Sequence, residues 1–243
     1  MLLSHTPPST GGADAVVMSE SPDQQPDFLA QRRAMIFDHI HQRGLRDQRL
    51  LAAFEAVPRE LFVPDHLRAA AYEDRPLPIG HGQTISQPYI VAYMTAQLDP
   101  LQDARVLEVG TGSGYQAAIL AASGAHVYTI ERIAELSAQA QERLRTLHLD
   151  GDVHFVVGDG SVGLLHHAPF ERIIVTAAAA RVPPPLIEQL ADNGILIAPV
   201  GAESVQTIVR VVRTGRRTIE TPLLGCRFVR LIGQEGARSS DAE

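Results

Sequence analysis

Four groups of residues in this 243-residue chain have the types and spacing to do chemistry. The first is Val106-Leu-Glu108-Val-Gly110-Thr111-Gly112-Ser113-Gly114-Tyr115, an apolar run that meets a glycine-rich turn and then a helical pattern. Glycines there permit positive φ and let the backbone approach a ligand closely. The helix start adds backbone donors and a positive dipole end. The second is Glu131, 21 residues past Gly110 at the end of the next apolar run. An acid at about that spacing accepts hydrogen bonds from ribose hydroxyls. The third is Gly158-Asp159-Gly160, whose acid can reach an adenine amino group, although Gly-Asp-Gly is also a common turn. The fourth is Pro76-Leu-Pro-Ile-Gly80-His-Gly82-Gln83-Thr84-Ile85-Ser86-Gln-Pro88, with hydroxyls and an amide in a proline- and glycine-broken segment.

These groups point to a nucleoside. A dinucleotide site wants its third glycine at position 115, where Tyr115 stands instead. The pattern is Glu-x-Gly-x-Gly-x-Gly, with an acid two residues before the first glycine. A carboxylate there can receive the ammonium of an amino-acid moiety, which suits S-adenosylmethionine. Glu131 fits both ligand classes and does not choose between them.

Composition removes other chemistries. All 21 basic residues are Arg, so a lysine Schiff base and a P-loop are excluded. Ten histidines include no HExxH spacing, and the adjacent His166-His167 pair need not converge, so no metal site is expected. Cys226 is the single cysteine, which excludes an intrachain disulfide and fits a reducing compartment; a cytoplasmic location is expected. The formal net charge is −7, and residues 1–31 carry four acids and no base. A nearly neutral body with acidic ends is a poor match to nucleic acid, so no nucleic-acid partner is expected. No apolar run is long enough for a membrane span, and no membrane partner is expected.

The elements that must position these groups follow from periodicity. Residues 1–26 are Pro-, Ser-, Gly- and Asp-rich and are expected to be a disordered leader without signal-peptide character, with Met18 a second possible start. Helical spacing runs from about Asp27 to Leu45 and over Leu50–Val57, stopping at Pro58. Residues 76–88 can be neither a regular helix nor a central strand, and are expected to form a lid or wall; Pro88 opens a helix to about Leu98. From Arg105, strands at 105–109, 126–131, 153–157, 172–176 and 195–200 alternate with helices at 114–123, 133–148 and 183–190. That alternation predicts a parallel sheet covered on both faces. Thr207–Val212 and Cys226–Ile232 read as further strands, giving an antiparallel C-terminal edge. Residues 234–243 read as a disordered tail. The expected organisation is one domain over 27–233, a helical and lid appendage (27–88) on an α/β core (89–233).

With these residues in view, the chain resembles the protein-L-isoaspartate (D-aspartate) O-methyltransferase family. The resemblance is carried by Val57-Pro-Arg-Glu-Leu-Phe-Val63, Leu77-Pro-Ile-Gly80, Gly82-Gln-Thr-Ile-Ser-Gln-Pro88, Leu107–Tyr115, Gly158-Asp-Gly160, Ile173-Ile-Val-Thr-Ala177 and Arg227-Phe-Val229. It implies a class I S-adenosylmethionine-dependent methyltransferase fold, Rossmann-like and doubly wound, with a variant strand order at its C-terminal edge. It implies methyl transfer from S-adenosylmethionine, released as S-adenosylhomocysteine, to the free α-carboxylate of isoaspartyl residues, and possible action on D-aspartyl residues, in damaged proteins or peptides. The ester collapses to a succinimide, whose hydrolysis returns some normal aspartate.

By the same resemblance Ser86 takes the active-site position. Gln83, Thr84, Ile85, Glu108, Gly110, Thr111, Gly112, Ser113, Gly114, Glu131, Asp159 and Gly160 take cofactor positions. A monomer is expected. Two departures stand out: Arg230 replaces the proline that usually follows Arg-Phe-Val, and Ser161 replaces an aromatic after Gly-Asp-Gly. Arg230 keeps open an alternative in which the same scaffold methylates a small-molecule carboxylate or a specific modified peptide. A cofactor-binding protein without turnover is the third reading. A carboxylate acceptor, with a pKa of about 3.9, is ionised at neutral pH and needs alignment more than a general base.

Overall fold

The first helices are set by their caps. In the computed structural model, which describes residues 27–202 and 205–238, Asp27 accepts from Ala30 N and starts α1 (Phe28–Met35). A π-helical turn over Ile36–His41 continues it. Asp47 accepts from Arg49 N and Leu50 N, both at 2.9 Å, and starts α2 (Gln48–Ala56). Pro58 forces Val57 into extended backbone, which ends α2. Two 3₁₀ turns, Arg59–Phe62 and Asp65–Ala70, follow. The broken segment is an antiparallel hairpin of β1 (Leu77–Gly80) and β2 (Gln83–Ile85), turning at Gly80, His81 and Gly82, all with positive φ. Helix α3 (Pro88–Ala96) starts on its proline.

The sheet comes next in the chain. Strands β3 (Arg105–Val109), β4 (His126–Glu131), β5 (Val153–Val157), β6 (Phe170–Val175), β7 (Leu190–Ala202), β8 (Val205–Thr214) and β9 (Arg217–Cys226) lie in the order β5-β4-β3-β6-β7-β8-β9. β3 to β7 are parallel, while β8 runs against both β7 and β9. Helices α4 (Tyr115–Ala122), α5 (Ala134–Thr146) and α6 (Pro184–Glu188) connect them.

Alternate residues of each inner strand enter opposite cores. Val106, Ile174, Ile195 and Ile197 join one cluster, Leu107, Ile173, Val175 and Leu196 the other. The first cluster also holds Met35, Leu50, Phe54 and Phe62, so the N-terminal helices share the core of one sheet face. Each of Phe54, Phe62 and Tyr115, fully buried there, contributes roughly 2 kcal/mol through apolar burial. The order in which strands are added reverses between the parallel neighbours β3 and β6, the switch point where open α/β sheets bind ligands.

Two expectations need correction. The strand expected at Cys226–Ile232 lies instead at Arg217–Cys226; β9 is an edge strand whose Arg217–Pro222 stretch is exposed, so no apolar pattern marks it. The apolar residues after Cys226 cross the carboxyl edge of the sheet, with Ala178 N donating to Val229 O and Leu231 N to Ala178 O, both 2.7 Å. The tail expected over 234–243 is ordered at its start: Gln234 N donates to Asp159 Oδ2 and Glu235 N to Ser161 Oγ. Local composition cannot reveal such distant partners. The expected leader, residues 1–26, and residues 239–243 lie outside the described residues.

Candidate active site

At the carboxyl edge the chain leaves β3 through Gly110, whose N donates to Ile130 O. Gly110 has φ +98°, and a Cβ there would stand 2.4 Å from Thr176 Oγ1. That hydroxyl donates to Gly110 O (2.6 Å) and lies 3.0 Å from Val109 O, tying the end of β6 to the turn. Glu131, buried at the end of β4, accepts from Gly112 N at 2.9 Å and from Ile133 N at 3.0 Å. The β4 carboxylate therefore fixes the turn as well as facing the crevice. Gly114 serves packing: a Cβ there would meet Ala140 Cβ at 2.9 Å, so it brings α4 against α5.

A crevice of about 580 Å³ opens over this edge. Gln83, Thr84, Gly110, Gly112, Glu131 and Gly160 line it, as do Val109, Ile130 and Ile133. An adjoining hollow of about 330 Å³ is lined by Thr84, Ile85, Ser86, Gly110, Thr111, Gly112 and Ser113. A groove of about 610 Å³ then runs past Ser86 between Ile90 and Phe228. Thr84 and Thr176 line all three spaces, so the groove and the crevice meet at these two hydroxyls. Arg230 lines the crevice too.

Three sequence-selected residues do not line these spaces. Gly114 packs α4 against α5, as above. Glu108 is fully buried beneath the turn, where Thr129 Oγ1 donates to its Oε2 at 2.5 Å; Thr129 Oγ1 lies 2.5 Å from Thr111 Oγ1. Burial, opposed by the bond from Thr129 and by the backbone N–H of Ala117 and aided by the charge of Glu131, pushes the Glu108 pKa up to about 8. Asp159 is occupied by Ser161 N, Ser161 Oγ and Gln234 N, and these bonds hold its carboxyl below the usual range although partial burial opposes them. A Cβ on Gly233 would fall 2.0 Å from Asp159 Oδ1, so glycine is required where the chain crosses this carboxylate. The residues that sequence reasoning passed over are Thr176, Thr129 and Arg59. The signals for Thr176 were its place in the 173–177 segment that carries the resemblance and a hydroxyl just past the end of β6, beside the switch point.

Among the described residues no three His, Cys, Asp or Glu side chains are grouped to hold a metal ion, and no helix is long and apolar enough to cross a membrane. The ring of His167 lies tilted against that of Tyr128, with centroids 4.8 Å apart.

A model of the protein-L-isoaspartate(D-aspartate) O-methyltransferase family matches residues 30–236. A protein-L-isoaspartate O-methyltransferase of Methanoculleus marisnigri is 50% identical over 206 residues, covering 85% of this chain and 93% of that protein. One from Trichlorobacter lovleyi is 51% identical over 212 residues, covering 86% and 97%. A solved protein-L-isoaspartate O-methyltransferase aligns with a TM-score of 0.75 at 26% identity, covering 84% of this chain and 66% of that one. A Plasmodium falciparum structure in complex with S-adenosyl-L-homocysteine shares the fold, with a TM-score of 0.73 at 22% identity over 86% of this chain and 99% of that one. The strand order, the glycine turn locked by Glu131 and Thr176, and a match over nearly all the described residues agree: the chain belongs to the protein-L-isoaspartate(D-aspartate) O-methyltransferase family.

Proposed function

We propose that this protein moves a methyl group from S-adenosylmethionine to the free α-carboxylate of an L-isoaspartyl residue in a damaged protein. The observation that carries this reading is the junction at Thr84 and Thr176, which open onto both the glycine-turn crevice and the groove past Ser86. A nucleoside on one side and a peptide carboxylate on the other would meet there. The crevice suits the cofactor chemically: Glu131 offers a carboxylate, Gly110 and Gly112 leave the backbone bare, and Val109, Ile130 and Ile133 supply apolar walls. When bound, S-adenosylmethionine supplies an electrophilic methyl on a sulfonium.

The chain's own residues have complementary roles. Gln83, Thr84, Ile85, Gly110, Gly112, Glu131 and Gly160 hold the nucleoside. Glu108, Thr111, Ser113, Gly114 and Asp159 set the shape of the loops around it. Ser86 Oγ–H donates to the acceptor carboxylate and orients it. An ionised carboxylate attacks without a base, so alignment and exclusion of water are the main work, worth several kcal/mol. The lone Cys226 leaves no intrachain disulfide to form and fits a reducing, cytoplasmic compartment.

Incubation of an isoaspartyl peptide with the protein and S-adenosylmethionine, followed by chromatography, tests the reading. Succinimide and then aspartyl peptide should appear as S-adenosylhomocysteine accumulates. An isoaspartyl peptide unchanged after many equivalents of enzyme would overturn it.

A further inference from the structure

Arg59 is a cation in an unusual place. It follows Pro58 in the first 3₁₀ turn and is fully buried, and among the described residues no carboxylate lies within ion-pair distance of it. Its Nε donates to Ala71 O at 2.7 Å, and its Nη2 donates to Ser86 O at 2.8 Å. The guanidinium carbon lies 4.8 Å from the ring centroid of Tyr115. Tyr115 is the first residue of α4, directly after Gly114 of the glycine turn, and its ring is gripped edgewise by Phe54 and Phe62. Nη1 has no partner.

Keeping a charge here is costly. Burial lowers the pKa of this guanidinium, opposed by Tyr115 and more weakly by Tyr72 and Asp74, and no carboxylate pairs with it directly among the described residues. An apolar side chain of similar length would fill the volume without that penalty. What the apolar residue would lack is the planar fork, which reaches two carbonyls at fixed angles. One of those carbonyls belongs to Ser86, and the ring beneath the fork begins the helix behind the glycine turn.

We propose that Arg59 is a positioning residue: it fixes the peptide plane of Ser86 against Tyr115, and so sets the Ser86 hydroxyl in register with the glycine turn. The inference rests on the functional reading above and adds a residue outside both the crevice and the groove. Arg59 touches neither cofactor nor acceptor; it acts through Ser86.

A double-mutant cycle on the full chain tests this, with Arg59→Met, Ser86→Ala and the double variant assayed on an isoaspartyl peptide. Ser86→Ala keeps the carbonyl that Arg59 binds but removes the hydroxyl it aims. Arg59→Met should lower kcat for the peptide about tenfold while KM for S-adenosylmethionine stays within about twofold. In the Ser86→Ala background the same substitution should cost less than about twofold, and Arg59→Lys should recover part of the loss. If circular dichroism shows that Arg59→Met is unfolded, Arg59→Lys takes its place in the cycle, since it keeps the cation but loses the fork. An equal cost in both backgrounds, or a loss confined to KM for S-adenosylmethionine, overturns the proposal in an enzyme that is otherwise active. A wild-type protein inactive on the peptide overturns the functional reading, and this inference with it.

Discussion

Glu108 offers a prediction whose sign and size both follow from its surroundings. The carboxyl is fully buried, Thr129 is its only side-chain partner among the described residues, and its pKa is pushed up to about 8. In the unfolded chain the same group titrates near 4.5. The folded form therefore keeps its proton where the unfolded form has lost it. Stability from this group is complete below the unfolded value and is lost as pH rises towards 8. At about 1.4 kcal/mol per pKa unit, the loss between about pH 5 and about pH 8 is roughly 3 kcal/mol. Glu108→Gln keeps the shape and an acceptor for Thr129 but cannot ionise.

Urea unfolding of both proteins, without added nucleoside, should give a stability difference that moves by roughly 3 kcal/mol against wild type over that range. Carboxylates remote from position 108 contribute equally in both proteins and cancel. A difference that stays flat within about 0.5 kcal/mol would refute the claim that a desolvated carboxyl underlies the turn.

Other consequences concern the crevice directly. Gly233→Ala places a methyl on Asp159 and Ser161, so calorimetry should find S-adenosylhomocysteine bound about tenfold more weakly with far-UV circular dichroism unchanged; equal affinity would detach residues 233–235 from the site. Thr176→Val removes the hydroxyl bonded to Gly110 O, and kcat/KM should fall about tenfold, or 1.4 kcal/mol, whereas a rate within twofold would show that the link between β6 and the turn is dispensable. Ser86→Ala should lower kcat/KM for an isoaspartyl peptide about tenfold, and a change under about twofold would remove Ser86 from the mechanism.

The core was legible because it is written in local periodicity. Arg105–Val109, the glycine turn and Tyr115–Ala122 form one continuous pattern, and Glu131 stands where strand length and helix spacing put it. The features that escaped depend on distant partners. Glu108 is claimed by Thr129, 21 residues away, and Asp159 by Gln234, 75 residues away. Spacing tells which strand end a carboxylate reaches, but not which neighbour takes its oxygens. β9 escaped because an exposed edge strand has no apolar face to show, and its polar residues read as a loop. Arg59 escaped because a buried cation is unusual, and only the fold brings Ala71, Ser86 and Tyr115 around it.

The most direct measurement is transfer of labelled methyl to two peptides that differ only in whether one aspartyl linkage is iso or normal. The label should enter the isoaspartyl peptide and be lost as the succinimide forms, with the aspartyl twin unlabelled. Equal labelling of both peptides, or none on either while S-adenosylmethionine binds, would contradict the assignment.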